Sequence, residues 1–246
     1  MKYTESVCTG GIEEETLKMV RLHPIPHRYL DTHQKFSAFQ WIKVRVMKHP
    51  KDPRPESYRV DTSSIELQEV IPSTKHTKRR EVLENSPHLC KSVEELKERQ
   101  KASGTSLGIV IPQAINTVSI EMRSPSERRE WLEKEKAILS QPSLFGEEIK
   151  PIDFPEAKFY VLWQCDDERC EGHKMSIHQW GIHQLYRKLK DDPDCHEKII
   201  ELMEKRLNQY ENDVFLFLGN FRDVQYNFGL MDSYSAPRRK QASLFG

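Results

Sequence analysis

The sequence lacks the marks of several protein classes at once. No apolar run approaches the roughly 20 residues that a membrane-spanning helix needs. The opening MKYTESVC has none of the apolar core that a secretory leader carries. Together these absences point to a cytoplasmic protein without a membrane partner. Net charge is missing too, since 38 Lys and Arg offset 38 Asp and Glu over 246 residues. That excludes a chain-wide attraction for polyanions, so any nucleic-acid contact must use local patches. No complete catalytic signature occurs, and Gly10-Gly11 is too little for a phosphate-binding loop. The five cysteines, at 8, 90, 165, 170 and 195, suit thiols or metal ligands better than disulfides in a cytoplasmic setting.

What is present predicts an α+β fold. Short alternating apolar stretches at 17–25, 39–47 and 64–71 are separated by Gly, Pro and Asp. They predict a small, strongly bent, OB-like barrel over residues 1–74, with the KDPRPES stretch at 51–57 as a loop. A charged helical connector follows over 75–104, in which Ser92 and Glu95 have the spacing of a capping box. Residues 105–232 predict a C-terminal α+β domain. Its strands fall at 107–112, 115–122 and 157–165. A helix over 124–141 groups Trp131, Leu132, Ile138 and Leu139 on one face. Two more helices fall at 177–190 and 194–210, the second with Asp194 as N-cap, and a hairpin joins 213–220 to 224–232. From 233 to 246 the pattern stops, which predicts a flexible tail.

One stretch carries metal-ligand chemistry. CDDERCEGHKM places Cys165, Cys170 and His173 within nine residues. Thiolate and imidazole are zinc's preferred donors, and Gly172 lets the backbone turn tightly beside an ion. A fourth ligand is needed, and His178, His183, Cys195 and His196 are the candidates. The alternative is a pair of reduced cysteines and a histidine in a polar loop. Asp166, Asp167 and Glu168 in the same loop suit either Mg²⁺ or a solvated turn. Cations beside aromatic residues form a second constellation: Lys78, Arg79 and Arg80 in KHTKRR, and Arg21 and Arg28 near Trp41. They predict a platform that stacks bases and holds phosphates, unless the rings are ordinary core and the charges solvated.

Two resemblances add to this. ESVCTGGI, VRLHPIPHRYL, FQWIKVRV and DPRPES together resemble the opening of bacterial proteins described as dual-OB-containing. The likeness implies small β-barrels, nucleic-acid contact and a link to mobile-element conflict, and assigns no reaction. QPSLFG at 141–146 and QASLFG at 241–246 share five of six letters. Both resemble the short peptide by which bacterial polymerases and repair proteins dock on the sliding clamp of DNA replication. That likeness gives roles to Gln241, Ser243, Leu244 and Phe245, and to Gln141, Leu144 and Phe145 in the earlier copy, unless Leu144 and Phe145 there cover the core between the domains and the tail copy is an accidental sticky end. Burying one Leu and one Phe yields roughly 3–6 kcal/mol before the ordering cost, so binding would be micromolar or weaker. The expectation is a nucleic-acid-associated accessory protein tethered to the clamp. The alternatives are an enzyme on nucleic acid or nucleotides with its site at 165–173, and an adaptor that touches no nucleic acid.

Overall fold

The computed structural model describes residues 7–27, 30–140 and 156–239. Arg28 and both QxSLF stretches lie outside the described residues. The N-terminal region contributes β1 (Val7–Ile12), β2 (Met19–Ile25), β3 (Gln40–Lys43), β4 (Val46–Lys48), β5 (Ser57–Val60) and β6 (Glu66–Val70). Four of these form a sheet in the order β1-β2-β5-β4, while β3 pairs with β6 alone. Among the described residues no sheet closes into a barrel. The stretch expected as one strand at 39–47 is broken at Val44-Arg45. Its two pieces pair with different partners, β6 and β5, so the ladder does not run on around a barrel.

The rest of the chain adds α1 (His76–Glu84), β7 (Leu89–Cys90), α2 (Val93–Ser103), β8 (Leu107–Val110), β9 (Ala114–Met122), α3 (Pro125–Leu139), β10 (Ala157–Gln164), β11 (His173–Ser176), α4 (Trp180–Leu189), α5 (Cys195–Arg206), β12 (Asn212–Asn220) and β13 (Phe228–Pro237). Two sheets result, ordered β13-β12-β8-β7 and β11-β10-β9. The chain is thus mixed α+β. β10 shows why: Ala157, Phe159, Val161 and Trp163 are buried while the residues between them are not, the two-residue period of a strand with one face in a core. Ile182 and Tyr186 on α4, and Ile199 and Met203 on α5, stand one helical turn apart and close that core. No helix among the described residues is long and apolar enough to cross a membrane.

Four expectations change. Residues 75–104 are not a connector lying outside the packed body. Leu83 of α1 packs with Met19, Ile109 and Phe215, and Val93 and Leu96 of α2 are buried in the main core. The tail does not begin at 233, because β13 runs on to Pro237 in register with β12, and Tyr234 and Ala236 are buried. Their burial against Phe39, Leu83 and Phe215 holds a stretch that looks polar in sequence. The expected apolar face of α3 is open in part, since Leu132 and Leu139 are exposed. Asp194 does precede α5, yet its side chain makes no capping hydrogen bond.

Candidate metal centre

β10 and β11 form a hairpin in which Trp163 stands opposite His173. Residues 165–172 make the turn, and Gly172 has φ +95°, a conformation that costs other residues a steric clash. The turn is pinned to the start of α2. Ser92 caps that helix by accepting the Glu95 N–H at 3.0 Å, and Glu95 reaches back to the Lys91 N–H at 2.7 Å. The Ser92 hydroxyl donates in turn to the Asp167 carboxylate at 2.8 Å. Arg169 binds Asp167 through Nε at 3.0 Å and Glu98 through Nη1 at 2.6 Å, tying the turn to the same helix. These hydrogen bonds, above all those from Arg169, hold the Asp167 carboxyl well below the usual carboxylate range.

The docking carries Glu94, in the first turn of α2, to the three residues of the sequence motif. One donor atom each from Glu94, Cys165, Cys170 and His173 lies within 4.8 Å of all the others. Cys165 Sγ is 3.0 Å from Glu94 Oε2 and 3.2 Å from His173 Nε2. Cys170 Sγ is 3.3 Å from the same ring nitrogen, and Glu94 Oε1 is 3.9 Å from it. Metal–ligand bonds of about 2.0–2.3 Å in a tetrahedron separate donors by about 3.3–3.8 Å, a range that the separations of 3.0 to 3.9 Å here bracket. The donors are shielded: Cys165 is buried, and only 9% of the His173 side chain and 16% of the Glu94 side chain are exposed. The Trp163 ring, 4.8 Å from the imidazole, fixes its plane.

The electrostatics agree with a site made for a cation. Burial, followed by the hydrogen bond to Glu94, pushes the Cys165 thiol up to about 12. Burial lowers the His173 pKa and keeps the ring neutral, the form that ligates. A divalent ion among these donors inverts the balance and drives the thiols to thiolates. A nucleophile-and-base relay does not fit. In such a relay the acid binds the ring nitrogen opposite the nucleophile. Here both sulfurs and the carboxylate converge on the same nitrogen, and the Cys165 thiol is raised where a reactive one is lowered.

Glu94 was not among the expected fourth ligands. His178 contacts Ser176 and Phe221, His183 lies against Phe159, His196 stacks on Tyr186, and Cys195 is buried at the start of α5. Asp166 and Glu168 are exposed and Asp167 is engaged by Arg169 and Ser92, which leaves the turn without a carboxylate cluster for Mg²⁺.

The expected nucleic-acid residues are placed differently again. Arg21 is buried, and its Nη1 donates to Ser106 Oγ at 2.7 Å and Ser57 Oγ at 3.3 Å. The Ser106 N–H and hydroxyl donate in turn to the buried Glu56 carboxylate at 2.9 and 2.7 Å. Arg80 is buried, pairs with Asp213 at 2.9 Å and donates to the Pro237 carbonyl. Arg79 donates to the Ile71 carbonyl and lies 4.2 Å from the centre of the Phe39 ring. These three guanidinium groups therefore tie chain segments together and do not form a phosphate platform. Their several fixed donors suit the carbonyls and carboxylates left at strand ends. Lys78 is exposed beside Glu69, and Trp41 is half-buried on β3.

The fold and the donor cluster define an α+β protein with a candidate metal centre. Residues 89–246, which include all four donors, match the family described as domain of unknown function DUF8757, and the chain belongs to that family. Residues 1–85 match the domain of unknown function DUF8758. No curated protein and no solved structure matches the chain.

Proposed function

We propose that this is an accessory protein whose C-terminal region is built around one structural zinc ion, held by Glu94, Cys165, Cys170 and His173. The observation that carries the reading is the convergence of four shielded donors from two separate elements. Thiolate and imidazole favour zinc over magnesium or calcium. Four protein donors fill a tetrahedral ion and leave no place for a substrate or a reactive water, which supports a structural ion over the enzyme reading. A groove of about 1190 Å³ lies along β9 and α5, and none of the four donors lines it. The ion would supply a cross-link between α2 and the β10–β11 hairpin, so its binding energy becomes folding energy. Metal analysis tests this. One zinc equivalent per chain, lost in Cys170→Ser, is expected, and a metal-free protein indifferent to chelation would overturn it.

As to partners, the reading is a cytoplasmic, nucleic-acid-associated protein tethered to the sliding clamp. None of the five cysteines is in a disulfide, and thiols and zinc thiolates both suit a reducing compartment. The clamp tether is supported by the repeated phrase, in which Leu244 and Phe245 fill an apolar pocket while Gln241 sets the register and Ser243 matters less. Gln141, Leu144 and Phe145 would form a second, weaker copy. An OB-like character of the N-terminal region belongs to the same proposal and rests on the resemblance of its sequence to dual-OB-containing proteins. Deleting 241–246, or changing Leu244 and Phe245 to Ala, should abolish clamp binding and leave thermal stability unchanged. Undiminished binding by the deletion would move the tether to Gln141–Phe145.

A further inference from the structure

The loop between β12 and β13, residues 221–227, presents Phe221 at 36%, Val224 at 49% and Tyr226 at 64% exposure. It is not a loose loop. The Val224 N–H donates to the Phe221 carbonyl at 3.3 Å and the Asn227 N–H to the Val224 carbonyl at 3.1 Å. The Asn220 side-chain amide donates to the Gln225 carbonyl at 2.8 Å. Beside the loop, the segment entering α4 alternates, with Ile177 and Gln179 buried and His178 and Trp180 exposed. The last two are both open to solvent. The rings of His178 and Phe221 meet at 4.9 Å, and Ser176 Oγ orients the imidazole at 2.7 Å. Gly229 makes the approach possible, because a Cβ there would stand 3.1 Å from both rings.

Cations border these rings. The Arg187 guanidinium lies 5.2 Å from the centre of the Trp180 ring, and Arg222 is exposed within the loop, where Asp223 is the acidic residue. Desolvation lowers the pKa of both His178 and His183, followed by Arg123 at the first and by His178, Arg187 and Arg123 at the second. Exposed rings on a pinned loop with guanidinium groups at the rim meet the two needs of an unpaired strand, faces for its bases and charge for its phosphates. A duplex hides its base faces.

We infer that this face binds single-stranded nucleic acid, with Phe221, Trp180 and Tyr226 stacking on bases and Arg187 and Arg222 meeting phosphates. The inference rests on the nucleic-acid part of the proposed function and gives it a site. The test is fluorescence anisotropy of the full chain with a labelled oligo(dT), and separately oligo(U), of about 20 nucleotides. Binding should weaken steeply between about 50 and 200 mM salt. Tyr226→Ala should weaken it roughly tenfold and Tyr226→Phe should restore it, while Arg222→Ala should lower the salt slope by about one. Thermal midpoints should stay unchanged, since both side chains are exposed. If the chain binds and all three variants bind as it does, this face is refuted while the nucleic-acid reading stands. If neither oligonucleotide binds at low salt, both fall. A protein that competes for the face without either oligonucleotide binding would also refute the inference.

Discussion

The two ends of this molecule are held together by different means. The sheet of residues 7–71 has short strands and a small apolar cluster of Leu22, Ile25, Leu30, Val60 and Ile65. Residues 89–237 have a large core around Phe159, Trp163, Leu216 and Ile199, with the four-donor centre at its edge. A polar seam joins the two. In it Arg21 and Glu56 meet at Ser106, and Arg54, paired to Asp52 at 2.6 Å, donates to the Asn220 carbonyl at 2.8 Å. A second cluster, with Met19 and Phe39 from one side and Phe215 and Tyr234 from the other, spans the same boundary. The comparison teaches that the N-terminal sheet borrows stability from its neighbour, because so small a core rarely holds alone.

The largest expected effect falls on the C-terminal side. Stripping the proposed zinc, or Cys170→Ser, should cost about 5 kcal/mol or more in denaturant unfolding. Cys8→Ser, in the N-terminal sheet, should leave the transition in place, and an equal loss from both changes would break the contrast. Next comes the seam. Arg21→Met removes the donors to Ser57 and Ser106 and the cation beside the buried Glu56 carboxylate, and should cost about 3 kcal/mol. It should also open residues 7–71 to protease first, and uniform cleavage would show that the regions do not depend on the seam.

A third effect is set by pH. Burial pushes His183 down to about 4 from its ordinary 6.5. The unfolded chain therefore takes up the proton first. Stability is full above pH 6.5 and falls as pH drops toward 4, by no more than about 3 kcal/mol. His183→Phe should flatten that slope, as read by midpoints measured across this range. The smallest effect returns to the N-terminal sheet. Arg45 pairs with Asp61 at 3.0 Å, but its side chain is 78% exposed. Arg45→Ala should leave the midpoint where it is, in contrast to the buried Arg21.

Much of this was legible in sequence wherever a local period carried it. β10, α4, α5 and the β12–β13 hairpin follow from apolar spacing, and the Ser92 cap from its Glu95 partner. Three donors of the centre were legible because they sit in one turn. Glu94 was not, since it lies 71 residues from Cys165 and meets it only through packing. The capping box did mark a helix start at that point, but no local pattern tells which loop such a start will face. Arg80 and Tyr234 escaped for a related reason. One is a cation in a charged stretch and the other an aromatic among serines, and only the long-range pairing of β13 buries them. The expected barrel failed on strand partners, which alternation alone does not assign.

The central claim is a zinc ion joining α2 to the β10–β11 hairpin, and X-ray absorption at the zinc edge on the purified full chain tests it most directly. The account predicts one zinc per chain in a four-coordinate shell of two sulfurs, one nitrogen and one oxygen. In Glu94→Gln the oxygen contribution should change while the two sulfurs stay. A protein that carries no zinc, or a shell that Glu94→Gln and Cys170→Ser both leave unaltered, would contradict it.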